Sequence, residues 1–559
     1  MKPYLFLLCT LFCFACSKDK DSGLPDLPDI PEEQATLSIS SSHFLFSSDG
    51  GTDTLSIASN YTWTITAVDA WCQPSVSSGF GDLDVQVVTK ANPDTDDRIT
   101  RWVINAGRFR SDTVYISQRF KDGNLTFPDD EFQKYLLKNF DKNHDGHLSV
   151  SEAREITSIA IQGDNLNLDG LDYFPELRYL TCWPLNTTSQ LGIKKLDVSK
   201  NKYLIQLFCN NNQLTELDLS QNLGLETLYC SDNKIVTLDL KDHEDLKSLY
   251  CSNNQLTTLD CENCSSLNVL QCQNNQLTSL DVTTCKTLTT LYCNDNQITE
   301  LDLPENAMLE NLTCSNNQLT SLDVNSCPNL KALFCGDNPI QNLEITNCPQ
   351  LASLSLPKQL ESLKISNNDA LTSFYYGNIF GISAPELKYL KFENCSQLQS
   401  VFLSDDKLES VSITFCPLLE RIRCSFNQIT SLTIDNCNSF KELQCSKNQL
   451  TMLDVSGCTS LTALDCASNQ LTTLDVSSCA SLTRLSCYNN QLMTLDVSGC
   501  ASLTTLDCAS NQLTTLDVSG CTSLETLTCY SNPNLKTIYK KKGQSIDISV
   551  YKDVEIIEL

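Results

Sequence analysis

Six oxygen donors crowd into twelve residues of this chain. The side chains of Asp141, Asn143, Asp145, Ser149 and Glu152 fall at positions 1, 3, 5, 9 and 12 of a loop, the backbone carbonyl of His147 falls at position 7, and Gly146 stands at position 6. A hard divalent cation such as calcium takes six to eight oxygen ligands, and this spacing lets one loop wrap them around a single ion. Gly146 permits the sharp turn, Leu148 packs inward, and Glu152 can offer both oxygens. The expected cofactor is one calcium ion.

The second candidate chemistry is thiol chemistry. The chain has 30 cysteines. Cys209, Cys230, Cys251, Cys272, Cys293, Cys314 and Cys335 form a row with a 21-residue period, and Cys424, Cys445, Cys466, Cys487, Cys508 and Cys529 form another. A fixed period of this length marks stacked coils, each touching only its neighbours. Equivalent Cβ atoms then lie about one strand spacing apart, ~4.8 Å. A disulfide wants ~3.8 Å, so a regular ladder of bridges is not expected. Cys261 and Cys264 form one C-x-x-C, but it falls where two cysteine rows approach each other in the repeat.

The elements that position these groups follow from the repeat. From 165 to 535 the unit reads Leu-x-x-Leu-x-Cys-x-x-Asn-Gln, then Leu-Thr-x-Leu-Asp-Val-Ser-x-Cys, as at Leu461 to Val476. This resembles the leucine-rich repeat, over about two-thirds of the chain. Each unit holds two half-repeats, so two short strands per coil and little helix are expected. The expected fold is mainly β, a solenoid of two parallel sheets back to back. About 18 coils at ~4.8 Å would stack to about 85 Å. In Leu-x-Cys the Leu and Cys point inward and the middle residue outward. An Asn three residues after each Cys can bond the turn backbone and the next coil, satisfying groups costly to bury.

Outward positions are left for a partner. In the first array the middle residue is Phe208, Tyr229, Tyr250, Gln271, Tyr292, Thr313 and Phe334, an aromatic stripe that suits sugar rings or a protein. In the second array it is Arg423, Gln444, Asp465, Ser486, Asp507 and Thr528. The other half-repeat carries an Asp row, from Asp218 to Asp323 and from Asp454 to Asp517. That row is either a solvated face that prevents sheet association or a binder of cations or a basic partner. The period slips between 349 and 415, where Phe374, Tyr375, Tyr376 and Phe380 sit. That stretch is either a functional loop or decayed repeat with its aromatics over the core.

Before the repeats, residues 127–164 bring Phe132, Tyr135, Leu136 and Phe140 at helical spacing ahead of the oxygen-rich loop. The segment resembles an EF-hand and is expected to be a short helical cap, either binding calcium or kept as a lid over the solenoid end. Residues 35–121 alternate apolar and polar positions between Gly and Ser turns, the pattern of a β-sandwich. Trp63-Thr-Ile65, Trp71, Ser77-Ser-Gly79, Asp84 to Val88, Asn92, Arg98 and Ile116 to Gln118 resemble a BACON domain, a small immunoglobulin-like module. The resemblance implies a spacer or a carbohydrate-associated module; Trp63 and Trp71 read as core residues, with sugar platforms the alternative. Residues 536–559 read as a β hairpin cap.

At the N-terminus, Lys2 precedes an apolar run from Tyr4 to Ala15, too short to span a bilayer. Phe14-Ala15-Cys16 resembles a bacterial lipobox, with Cys13 where Leu is usual. Residues 1–16 are then a lipoprotein signal with Cys16 as the acylated residue. An ordinary cleaved signal peptide is the alternative. Ser17 to Asp21 resembles the acidic export tag of surface lipoproteins in Gram-negative gut anaerobes. The Pro-rich 17–34 reads as a tether. The expected location is the outer membrane, facing outward, with the lipid as the membrane contact.

A net charge of −29 argues against nucleic acid, whose phosphates want Lys and Arg. The chain has four histidines, two of them in the calcium loop, and no nucleophile elbow, phosphate loop or zinc motif. A non-enzymatic monomer is expected. It would bind an extracellular protein, glycoprotein or glycan along the solenoid, or serve as a surface scaffold with no ligand.

Overall fold

A computed structural model describes residues 31–94, 96–185, 192–303, 308–377, 386–404, 407–551 and 553–559. Cys16, most of the tether and Phe380 lie outside the described residues. The chain divides into two compact units, Met1–Gly123 and Asn124–Leu559.

In the first unit the period-2 alternation builds two sheets. Strands Leu37–Ile39, Gly51–Ser59, Leu83–Thr89 and Cys72–Pro74 make one; His43–Phe46, Arg110–Gln118, Arg98–Ala106, Thr62–Ala67 and Ser78–Phe80 make the other. Leu55, Ile57, Trp63, Val85, Trp102, Ile104 and Ile116 fill one shared core. Trp63 is buried, and its Nε1 donates to the Gly81 carbonyl at 2.9 Å. Gly79 is needed beside it, because a Cβ there would lie 2.4 Å from the Trp63 ring. Trp71 packs against the core edge with the Arg98 guanidinium 4.4 Å over its ring. Trp63 is thus a core residue, while Trp71 is half-buried at the core edge.

The second unit is about 18 turns of parallel β-solenoid. Strand triplets such as Thr227–Tyr229, Ser248–Tyr250 and Val269–Gln271 pair in parallel, in register, one per coil. They form a ten-stranded sheet from Ser158–Gln162 to Ser353–Ser355 and a nine-stranded sheet from Ser373–Gly377 to Asp547–Ser549. In the two regular arrays, Cys209 to Cys335 and Cys424 to Cys529, the central Leu or Ile of each triplet and the following Cys are buried. Burying one Leu is worth about 2 kcal/mol, so the stacked rows dominate the stability of each coil. The Asn ladder joins the coils. Asn275 Nδ2 donates to the carbonyls of Cys251 (3.1 Å) and Cys272 (3.0 Å), and its Oδ1 accepts from Leu256 N at 3.0 Å. Each Asn thus satisfies backbone groups of its own coil and of the one before.

Three expectations need correction. Two full sheets back to back do not form. Over most of the Leu-Asp units the second face makes only isolated bridges among the described residues, Asp260↔Asp281 and Asp454↔Asp475 to Asp517. That face closes into sheets only in a five-stranded patch between Asn342–Thr346 and Ser431–Asp435 and a three-stranded one at the C-terminal end. In the five-stranded patch Ile345, Ile365, Phe392, Ile413 and Ile434 replace Val, and longer β-formers hold five-residue strands. Second, the solenoid begins before 165, since Ser158–Gln162 already pairs in parallel with Tyr179–Trp183. Third, residues 536–559 are no hairpin. Asp547–Ser549 and Glu555–Glu558 each pair in parallel with the preceding coil, extending the stack.

The oxygen-rich loop lies between helix α1 (Asp130–Phe140) and the short helix α2 (Val150–Arg154). Asp129 caps α1 by accepting from Phe132 N, and its other oxygen accepts from Asn167 N of the first coil, both at 2.8 Å. Tyr135 Oη accepts from Ala160 N at 2.9 Å, and the Phe127, Phe132 and Phe174 rings pack together. The helical segment is thereby docked on the first coil.

Candidate functional sites

The aromatic stripe is a single in-register row. Phe208, Tyr229, Tyr250, Gln271, Tyr292, Thr313 and Phe334 are aligned strand to strand on one face of the ten-stranded sheet. Phe334 is 39% exposed and the other rings are half-buried. Phe208 and Tyr229 have ring centroids 4.7 Å apart, and Tyr229 stacks on Tyr250 at 3.9 Å. Burial first, then the hydrogen bond with Tyr250, pushes the Tyr229 phenol up to about 12. Tyr292 and Phe334 have smaller neighbours, Gln271, Thr313 and Ser355.

The second sheet opens with a group the sequence pattern hid. Tyr375 stacks on Phe402 at 4.8 Å, and the Arg423 guanidinium lies 5.4 Å from the Phe402 ring centroid. Glu442 pairs with both Arg421 (3.6 Å) and Arg423 (3.3 Å). Tyr375, Phe402 and Arg423 hold the same register position as the first stripe. The signal was present, since Phe374 and Val401 occupy the Leu row, but the period break obscured it. Of the irregular aromatics, Phe374 is core and Tyr375 is exposed.

In the oxygen-rich loop His144 and Gly146 stand at positive φ, the sharp bend that a tight loop of this kind needs. Asp141 Oδ2 accepts from Gly146 N (2.9 Å), Asn143 Oδ1 from Asp145 N (2.9 Å) and Asp145 Oδ1 from His147 N (2.8 Å). Glu152 accepts from Lys142 N and from the backbone and hydroxyl of Ser149, all at 2.9 Å, completing a capping box on α2. Those bonds, the Ser149 backbone first, hold its carboxyl below the usual range. Among the described residues no three His, Cys, Asp or Glu side chains converge as a metal site. One observation fits a cation: Asp141 Oδ1 is buried with no hydrogen-bond partner. Asn124–Leu125 pairs antiparallel with Leu148–Ser149, bracing the loop from outside.

The thiols are interior. All 27 described cysteines are free and buried. Burial pushes the Cys272 and Cys424 thiols up to about 12. At neutral pH such thiols are neither nucleophiles nor ready metal ligands.

Residues 245–267 match the model described as Leucine Rich Repeat, and residues 501–541 the model described as Leucine Rich repeats (2 copies). The chain carries leucine-rich repeats. It is similar to the functional domain of InlJ from Listeria monocytogenes, described as including a cysteine ladder (24% identity, 74% of this chain and 79% of that one, TM-score 0.36). It is also similar to a leucine-rich repeat protein of Leptospira interrogans (21%, 72% and 97%, 0.34) and to YopM from Yersinia enterocolitica (22%, 73% and 92%, 0.30). No curated protein matches the sequence.

Proposed function

We propose that the protein is a non-enzymatic recognition protein of the cell surface, engaging an extracellular protein, glycoprotein or glycan through the aromatic face of its solenoid. The observation that carries this reading is the in-register row from Phe208 to Phe334 along one face of the ten-stranded sheet. Aromatic rows on an outward face serve recognition because each ring supplies a large apolar area, and each Tyr adds a polar tip. In this reading Cys16 carries the lipid that holds a monomer on the outer membrane, and the N-terminal β unit is a BACON-like spacer. The loop between α1 and α2 is an EF-hand-like calcium site. It would hold one ion through Asp141, Asn143, Asp145, Ser149, Glu152 and the His147 carbonyl, with Glu152 turning from its capping bonds. Bound calcium would supply fixed positive charge and rigidify the segment docked on the first coil.

Replacing Tyr229, Tyr250 and Tyr292 together by Ser and measuring cell binding to mucin and polysaccharide arrays tests the recognition reading. Loss of binding is expected. One observation favours a scaffold instead: the stacking of Tyr229 on Tyr250 covers ring faces and could be purely structural. Unchanged binding, or none at the outset, would favour that scaffold.

A further inference from the structure

We infer that His243 is an acid-operated joint of the solenoid, at which proton uptake by the imidazole opens the turn leading into the Ser248–Tyr250 strand. This is a property of the stack itself and holds whatever the outward face binds.

The row that holds His243 is the first observation. Asn201, Asn222, His243, Cys264 and Cys285 recur every 21 residues, at the turn after the Leu-Asp half-repeat. Its other members are pinned to the coil before. Asn201 Nδ2 donates to the carbonyls of Leu171 (2.8 Å) and Phe174 (2.9 Å), and Asn222 Nδ2 to those of Val198 (3.0 Å) and Asn201 (2.8 Å). The thiols of Cys264 and Cys285 donate to Leu240 O and Cys261 O, each at 3.7 Å. His243 is 2% exposed, and neither ring nitrogen has a hydrogen-bond partner. It is the member of this run that makes no side-chain bond to the preceding coil.

Acceptors are the second. A neutral imidazole presents one N–H, an imidazolium two. Two carbonyls face the ring, those of Leu240 and Leu219. Leu240 O already accepts from His243 N at 3.0 Å and from the Cys264 thiol, and Leu219 O from Asn222 N at 2.8 Å. With two lone pairs on each oxygen, one place remains for two N–H groups. Asn222 Oδ1, the orphan acceptor one coil before, makes no bond to the ring.

Charge is the third. Asp239, Asp242, Glu244 and Asp245 of the same coil, Asp218 of the coil before, and Asp260 and Glu262 of the coil after are all exposed, as is Lys241. Cys264, the buried titratable neighbour in the row, is uncharged in acid. Solvated carboxylates attract only weakly, so burial prevails and holds the imidazole below its ordinary 6.5. The closed coil therefore excludes a proton that the open coil accepts. Its stability is complete well above pH 6.5. Below that, opening is favoured by up to about tenfold per pH unit, until the buried ring itself titrates. Tyr250 stacks on Tyr229 across this joint at 3.9 Å, and Lys247 pairs with Glu226 at 2.8 Å. Acid thus parts the stripe at its closest ring pair.

The test is hydrogen exchange on the full chain at pH 7.5, 6.0 and 5.0, corrected for the pH dependence of intrinsic exchange. Loss of protection is expected at 235–256, growing as pH falls below 6.5, with 458–511 unchanged. His243→Asn and His243→Cys, the types that precede and follow it in the row, should each keep that protection at pH 5.0. Protection at 235–256 that is flat with pH in the parent overturns the inference, as does an acid loss that both variants retain. NMR titration of the ring protons of the parent's four histidines needs no variant. One ring should titrate below 6.5, and the absence of such a ring overturns the inference as well.

Discussion

The two regular arrays share an interior and differ outside. Coils 206–338 and 421–532 have the same Leu, Cys and Asn rows, and their Asn side chains make equivalent bonds, as Asn275 to Cys251 O (3.1 Å) and Asn469 to Cys445 O (3.0 Å). At the outward position of the strand the first array places aromatics and the second places Arg423, Asp465, Ser486 and Asp507. They differ again at the turn. Every coil bends through a left-handed residue two positions after its Cys. In the first array these are Asn211, Asp232, Asn253, Asn274, Asp295, Asn316 and Asp337, the types that tolerate this region. In the second they are Phe426, Lys447, Ser468, Asn489, Ser510 and Ser531. The second array thus combines the same packing with a more strained backbone, and it is expected to open first.

The largest expected effect is alkaline and should strike both arrays together. An unfolded thiol loses its proton near the ordinary 9.0, whereas Cys272 and Cys424 hold theirs to about 12. The folded pKa is raised, so the stabilisation is complete below pH 9 and fades as pH climbs toward 12. At pH 10 each buried thiol already costs about 1 kcal/mol, and the rows add. Circular dichroism under reducing conditions should show cooperative loss of structure above pH 10; a native spectrum at pH 11 would refute the interior placement of the sulfurs.

Next comes the amide ladder. Asn275→Leu and Asn469→Leu each leave buried carbonyls and an N–H unpaired, and about 3 kcal/mol of destabilisation is expected from each. Urea denaturation should show closely matched losses. A large disparity would mean that the two interiors are not equivalent after all.

Calcium should act on one end of the solenoid. At a hundredfold excess over its Kd an ion bound only by the folded state contributes about 2.7 kcal/mol. Chelator should lower hydrogen-exchange protection around 130–183 and leave the second array untouched. Glu152→Gln should abolish the difference. Equal protection with and without calcium would leave the segment as a cap alone.

The smallest effect sharpens the contrast at the turns. Ser468→Asn and Ser510→Asn should each stabilise the second array by about 0.5 kcal/mol, well under the cost of a non-Asn residue in that region. Asn253→Ser should do the reverse in the first. Additive shifts in melting temperature would support strain as the difference.

Interior and exterior were legible from the sequence wherever a residue type recurred in step, because periodic burial leaves a periodic record. The stripe from Phe208 to Phe334 was readable for that reason. The Tyr375, Phe402 and Arg423 group was not, because its coils have other lengths. Leu354 to Phe374 is 20 residues, Phe374 to Val401 is 27, and then 21 resumes to Ile422. The coil survives while the count fails. The incomplete second sheet was also beyond the pattern, since Leu-Asp-Val and Leu-x-Ile alternate identically and differ in how long a strand the side chains support. In the loop between α1 and α2 the oxygen donors were legible from their spacing, whereas the capping bonds that occupy the oxygens of Glu152 were not.

The amide ladder has a genetic corollary. Because each Asn clasps the coil before it, a coil is joined to its neighbours by identical fittings at both ends. Whole units of 21 residues can therefore be duplicated or lost with every clasp still engaged, whereas any other insertion must bulge out of the stack. The length of the solenoid is free to drift in quantised steps, and its outward rows can be extended or trimmed one rung at a time without redesigning what lies beneath them.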